Sequence, residues 1–304
     1  MTTDAKTMLP RRGRAAAAPL TTGWVRAHLP LILFTLLVLI AAVIYLMPLY
    51  WMFTGALKAQ KGIMQTPPEW FPVRPTLENW QNLFSIKTIS PWAWFKNSVI
   101  VALGTVAVSV TLSALAGWAF AKKLFPGREF LFFLILATMM LPSQVTLVPM
   151  YLFVRKIGFY NTYIGMILPM ALYPFGVFLM RQFMQAIPNE LLDAARIDGA
   201  SEWGQFWRIG IPLSVPALSA LTILTFFNAW NNFMWQLLMA KDYKMMTLPV
   251  GVSYLALVPI GERAILDVGL LMAGGTFGAI PMILFFLFFQ RYFVQGLMMG
   301  ALKG

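Results

Sequence analysis

Residues 29–57 form a run of 29 positions without a charged side chain, and nothing else in the chain constrains the fold as much. A helix needs about 20 such residues to cross the hydrocarbon core of a bilayer. Five more uncharged runs meet that length: 97–121, 130–154, 157–180, 209–240 and 268–290. In lipid each backbone N–H and C=O must be satisfied within the segment, so runs of this kind read as helices. A seventh run, 245–261, is shorter and holds Pro249, Gly251, Pro259 and Gly261. It reads as an external loop able to dip inward. The expected fold is all-α, a polytopic membrane protein with six transmembrane helices.

Composition agrees and removes whole classes of function. Hydrophobic residues make up 59%, charged residues 11%, and mean hydropathy is +0.71, values that exclude an ordinary soluble domain. The net charge of +12 points to anionic lipid headgroups as a partner. The basic residues are scattered among loops and form no clustered face, so no nucleic acid is expected. No cysteine is present and His28 stands alone, which rules out thiol chemistry and a histidine metal site; no metal is expected. Neither a G-x-x-x-x-G-K-[ST] loop nor H-E-x-x-H nor G-x-S-x-G occurs, so no cofactor and no enzymatic activity are expected, and ATP would have to be bound elsewhere. The six runs lack ionisable groups, which disfavours a proton relay and hence an ion-coupled secondary transporter.

Residues 1–28 read as a basic, mostly disordered tail, with the membrane domain spanning 29–304. The first run is far longer than the roughly 7–15 apolar residues of a signal peptide, so it reads as a permanent anchor. Six spans put both termini and the loop between the fourth and fifth spans on one side. A small excess of basic residues in the tail and the loops of that side favours the cytoplasm. In the first external loop Trp70, Trp80, Trp92 and Trp94 read as interfacial anchors. Stripes of small residues suggest close helix packing within the chain: Ser109, Ser113, Gly117 and Ala121 in one span, Gly274 and Gly278 in another.

The loop between the fourth and fifth spans is charged: Glu190, Asp193, Arg196, Asp198, Glu202 and Arg208 lie between Pro188 and Pro212. It reads as helix, turn, helix. Pro188 suits a first turn, Glu190 and Asp193 complement the N-terminal end of the dipole, Gly199 suits a left-handed stop, and Ser201 is a good N-cap. Its spacing, Asp193-Ala194-Ala195, three residues, Gly199, nine residues, Ile209-Gly210-Ile211-Pro212, resembles the E-A-A-x3-G-x9-I-x-L-P loop of ABC importer permeases, with Asp for Glu and Ile for Leu. The ending Arg291-Tyr-Phe-Val-Gln-Gly-Leu-Met-Met-Gly-Ala-Leu-Lys-Gly304 resembles the C-terminus of carbohydrate-uptake permeases of the maltose, MalG-like type.

The resemblance implies the type I permease fold and a multi-pass protein of a bacterial or archaeal cytoplasmic membrane. It implies four kinds of partner: a second permease, an ATPase dimer that binds the ATP, an extracytoplasmic substrate-binding protein, and a carbohydrate substrate. Glu190, Asp193, Ala194, Ala195, Asp198, Gly199, Ile209 and Pro212 would couple to the ATPase. Gly300, Ala301, Leu302, Lys303 and Gly304 would reach toward it. Tyr243, Tyr254 and Glu262, in the loop 241–267, would face the binding protein. Asn228 and Asn232, and Asn231 and Trp235, fall one helical turn apart in the fifth run. Amides beside aromatic faces suit a sugar, and they equally suit hydrogen bonding between helices. Within the class, glycerol-3-phosphate or a polyol is the other substrate reading.

Overall fold

The computed structural model describes the backbone of residues 22–86, 90–257 and 267–301, and the side chains of 28–86, 90–256 and 267–290. The expected tail lies outside these residues up to position 21. The regular structure is helical. In chain order it runs α1 (Thr22–Gly55), α2 (Gln60–Met64), α3 (Glu78–Ser85), α4 (Pro91–Lys122), α5 (Arg128–Thr138), α6 (Ser143–Lys156), α7 (Tyr163–Ala171) and α8 (Pro174–Gln185). Then follow α9 (Asn189–Ile197), α10 (Glu202–Gln205), a π-type turn (Phe206–Gly210), α11 (Ile211–Leu213), α12 (Val215–Trp230), α13 (Met234–Met239), α14 (Leu248–Tyr254) and α15 (Val268–Ala301).

Three expected spans are continuous helices long and apolar enough to cross a bilayer: His28–Gly55, Pro91–Lys122 and Val268–Gln290. The other three are bent pairs. The angle is 101° between α5 and α6, 46° between α7 and α8, and 75° between Glu202–Leu213 and α12. Proline accounts for each break. Pro142 and Pro174 push the residues before them out of helical space, with Tyr173 at φ −111°, ψ 95°. Pro216 lacks the N–H that would bond Pro212, and the chain turns at Ser214. The run 209–240 breaks again after Trp230, so one helix over that range is not formed. Among its described residues the seventh run forms α14, seven residues long, and a 3-10 turn at Leu255–Leu257, both too short to span.

The chain divides into two compact units at Tyr50. In the first, α1 buries no side chain from His28 to Tyr50, and Leu31, Phe34, Leu37, Val43 and Ile44 all point outward, as lipid-facing positions do. In the second, α4 is the central element, packed along its length against α7, α8, α12 and α14. It contributes to two cores, one around Trp94, Met166, Trp235 and Leu270, the other around Trp118, Met180, Phe206 and Leu221. The small-residue stripe seats α8. Ser109, Ser113 and Gly117 are buried, and a Cβ on Gly117 would meet the backbone of Met180 and Arg181 at 2.9 Å. A Cβ on Gly274 would meet side chains, that of Leu255 at 2.5 Å and that of Val252 in α14 at 3.5 Å.

Just beyond α1 the chain is tied down by a buried lysine. Lys58 is 1% exposed. It donates to the carbonyl of Glu69, to that of Trp70 (3.2 Å) and to Thr54 Oγ1 (3.3 Å), and it lies 4.2 Å from the centre of the Trp51 ring. Burial pushes its pKa down, and the Glu69 carboxylate opposes that. Asn79 Nδ2 donates to the carbonyls of Ala56 (3.1 Å) and Lys58 (2.8 Å) just past the end of α1. Of the expected interfacial tryptophans, Trp70 and Trp92 are exposed, whereas Trp94 is wholly buried in the core.

The α4–α8 contact yields a direct expectation. Gly117→Val should lower stability by about 1–3 kcal/mol through overpacking, while Gly278→Ala, with nothing within 4 Å of its Cβ, should leave stability unchanged or higher. Thermal unfolding of the detergent-purified variants checks both.

Candidate functional site

The loop after α8 forms the expected first helix and turn, while the second helix is divided into α10, a π-type turn and α11. Pro188 sits at the N-cap of α9 and Glu190 lies in its first turn. Gly199 takes φ +81°. The Ala200 N–H bonds the Ala195 carbonyl at 2.8 Å and the Gly199 N–H bonds that of Arg196 at 3.1 Å, the paired pattern that closes a helix on a left-handed residue. Ser201 Oγ accepts from the Gly204 N–H at 3.1 Å, capping α10. Nothing lies within 4 Å of a Cβ placed on Gly199. A side chain there meets backbone strain and no steric clash.

Two faces of this loop differ in kind. Leu192 and Phe206 are buried in the core beside Trp118, Met180 and Met184. On the other face Asp193, Ala194, Asp198 and Pro212 are exposed, with Ala195 and Ile209 half-buried. Ile197 is 87% exposed, Trp203 63% and Trp207 59%. An apolar patch of this kind on a charged loop marks a contact surface. Asp193 pairs with its own neighbour, Arg196, at 3.1 Å, and Arg196 reaches Glu202 at 3.5 Å. Lys123 makes an ion pair with Glu202. Burial, and the nearby Arg196 charge, push the Lys123 pKa down.

Neighbouring charges brace this end of the molecule. Lys122 Nζ donates to the Ile187 carbonyl (2.5 Å) and Asn189 Oδ1 (2.9 Å). Arg181, at the end of α8, donates from Nη2 to both oxygens of Glu129 (3.1 and 3.0 Å) and stacks 3.8 Å over Phe132. Neither brace is evident from residue spacing, because each joins segments about 50 or more positions apart in sequence.

The polar pairs of the fifth run are arranged differently from one helical face. Asn228 and Asn231 are exposed; Asn228 lies beside Tyr173, and Asn231 Nδ2 donates to the Phe227 carbonyl at 2.9 Å. The helix stops at Trp230. Asn232 Oδ1 accepts from the Trp235 N–H (3.2 Å) at the start of α13, while its Nδ2 meets Met170 Sδ at 3.1 Å. Trp235 is 2% exposed and its indole donates to the Gly165 carbonyl at 3.2 Å. Asn228 and Asn231 therefore present amides outward, and Asn232 and Trp235 build the turn behind them.

Tyr243 is 52% exposed and stands edge-on to Tyr254 at 5.9 Å. Glu262 lies outside the described residues. Gly300 and Ala301 belong to α15, and Leu302, Lys303 and Gly304 lie outside the described residues. Among the described residues no group of three or more His, Cys, Asp or Glu side chains could hold a metal.

The family described as binding-protein-dependent transport system inner membrane component matches residues 109–299. The arabinooligosaccharide transport permease AraQ of Halalkalibacterium halodurans is 40% identical over 77% of this chain and 81% of its own length. The sn-glycerol-3-phosphate permease UgpE of Salmonella typhi is 34% identical over 86% and 94%. A solved bacterial ABC transporter involved in import of the acidic polysaccharide alginate superposes with TM-score 0.79 at 22% identity, covering 91% of this chain and all of that one, so the fold is that of an ABC importer permease. With the family matched from the small-residue stripe of α4 to the end of α15, and the exposed helical loop at its centre, the chain belongs to the binding-protein-dependent inner membrane transport components.

Proposed function

We propose that this chain is a permease subunit of an ATP-driven importer for a carbohydrate, working with a second permease, an ATPase pair and an external binding protein. The loop 188–212 carries the reading. It is held to the core by Leu192 and Phe206 on one face and turns a small-residue, partly apolar surface outward on the other, a surface suited to a partner. Asp193, Ala194, Ala195, Asp198 and Gly199 form the docking element for the ATPase, with Glu190, Ile209 and Pro212 framing it. ATP is bound by the partner, and this chain performs no chemistry of its own. Both termini lie on the cytoplasmic side, so Gly300 to Gly304 extend toward the ATPase and Tyr243, Tyr254 and Glu262 toward the binding protein.

The substrate class rests on the sugar-transporting relative and on neutral amides beside aromatic rings at Asn228 and Asn231. A sugar offers hydroxyls to amides and C–H faces to rings, and it needs no charge from the protein. Uptake of glycerol-3-phosphate is the second reading, favoured by the 34% identical relative. A phosphate calls for a cation on the pathway, and none lies within the uncharged runs.

Two measurements test these assignments. Gly199→Val should leave membrane abundance near wild type while abolishing co-purification of the ATPase, because a β-branched residue at positive φ costs on the order of 1–2 kcal/mol and redirects α10. Gly199→Asn should retain most of it, since Asn tolerates that region. Normal ATPase retention and uptake in the Val variant would refute the coupling role. Asn228→Val should raise the KM for carbohydrate uptake about five- to tenfold, the loss of one hydrogen bond of roughly 1 kcal/mol, with ATPase retention unchanged. An unaltered KM removes Asn228 from the pathway.

A further inference from the structure

We propose that α4 is the rod that carries movement between the ATPase-facing loop and the external segment 243–251, gripping each through its own set of side chains. The inference rests on the coupling-loop reading above and extends it to the opposite side of the membrane. α4 has 32 residues and its only proline is at the first position. At 1.5 Å per residue it is about 48 Å long, enough to cross the whole bilayer unkinked.

The inner grip involves the last turns of α4. Trp118 packs 5.8 Å from Phe206, and a Cβ on Gly210 would come within 2.7 Å of the same indole. Lys122 holds the chain entering α9 through the Ile187 carbonyl and the Asn189 side chain. Lys123 pairs with Glu202 at the start of α10. Three residues of one helix end thus contact the entry, the second helix and the exit of the loop. The loop cannot shift as a unit without moving α4 or breaking these contacts.

The outer grip is built from backbone partners, which fixes position more than identity. Trp94 Nε1 donates to the Tyr243 carbonyl at 3.1 Å, and Asn97 Nδ2 donates to those of Lys244 (2.7 Å) and Met246 (2.8 Å). The Leu248 N–H donates to Ser98 Oγ at 2.8 Å. Asn97 is itself held, accepting from Tyr163 at 2.7 Å. The bonds from Asn97 to Met246 and from Leu248 to Ser98 are buried and the others partly so; an unpaired buried carbonyl is costly, so the segment follows α4. Both grips act on positions, so their residues are positioning residues.

Hydrogen exchange on the assembled transporter, with and without a non-hydrolysable ATP analogue, tests the proposal. In the wild type nucleotide should change exchange in both 189–205 and 243–251. Lys123→Glu should cut the response at 243–251 about fivefold or more, the lower range of site-to-site coupling, while 189–205 still responds. Adding Glu202→Lys to reverse the pair should restore it. Ser98→Ala should weaken the same response from the outer side. Exposed ion pairs contribute little to stability, so the charge variants should fold; Lys123→Ala replaces Lys123→Glu if recovery is poor. An undiminished response at 243–251 in both Lys123→Glu and Ser98→Ala, or no gain from the reversed pair, overturns the inference. A wild type that responds at 189–205 and not at 243–251 overturns it too. Silence at 189–205 in the wild type overturns the coupling-loop reading itself, and the inference with it.

Discussion

In lipid, two helices gain little from burying leucine against leucine, because the acyl chains they leave are equally apolar. What holds α4 to α8 is close contact between backbones. Gly117 lets the Met180–Arg181 backbone approach so nearly that no Cβ fits between them, and Gly176 seats against Ser113 one turn further along. That approach brings the end of α8 beside the end of α4. Arg181 is thereby placed to reach Glu129, and Lys122 to reach the start of α9. The loop 188–212 inherits its position from the two glycines, Gly117 and Gly176, at the α4–α8 contact.

Charge follows from the same constraint. A cation inside the hydrocarbon region is costly unless it is paired or reaches the interface, and the described ion pairs all lie between residues 123 and 202, at helix ends and in the loops joining them. Lys58 follows this rule in another form. It is buried, yet it sits just beyond the C-terminus of α1, where backbone carbonyls and the helix dipole both favour a positive group. Two neutral amides of the uncharged runs fix backbone instead: Asn97 holds the carbonyls of Lys244 and Met246, and Asn232 starts α13.

Local chemistry was readable in the residue pattern, and direction was not. Gly199 at positive φ and Ser201 as a cap follow from bonds made within a few residues, so the turn of the loop could be drawn from its residues alone, though not the π-type turn at Phe206–Gly210. The small stripe of α4 was readable for the same reason. The absence of charge over 130–154 established that the segment is apolar but could not show that it bends by 101°. Proline marks a place where a helix can bend, while neighbouring helices decide how far it does. The Asn231–Trp235 spacing misled because a one-turn interval has meaning only if the helix continues, and it ends at Trp230. Trp94 looked like an interfacial ring. Its indole instead found a carbonyl 149 residues away, which no local pattern specifies.

The bend at Ser214 decides how movement can enter the membrane domain. A proline break is often a hinge, and a hinge there would let the loop swing without disturbing α12. The bonding argues otherwise. The Ser214 N–H is shared between the carbonyls of Gly210 (3.1 Å) and Ile211 (3.0 Å), and the Leu218 N–H bonds the Ser214 carbonyl at 2.9 Å. Ser214 is buried, and Gly210 is wedged against Trp118. The elbow is thus bonded on both sides and packed on its inner face, which makes it a bracket. On the coupling role proposed above, a load applied at Ala194 and Gly199 would pass into α12 through the bracket and into α4 through Trp118, two helices that pack on each other.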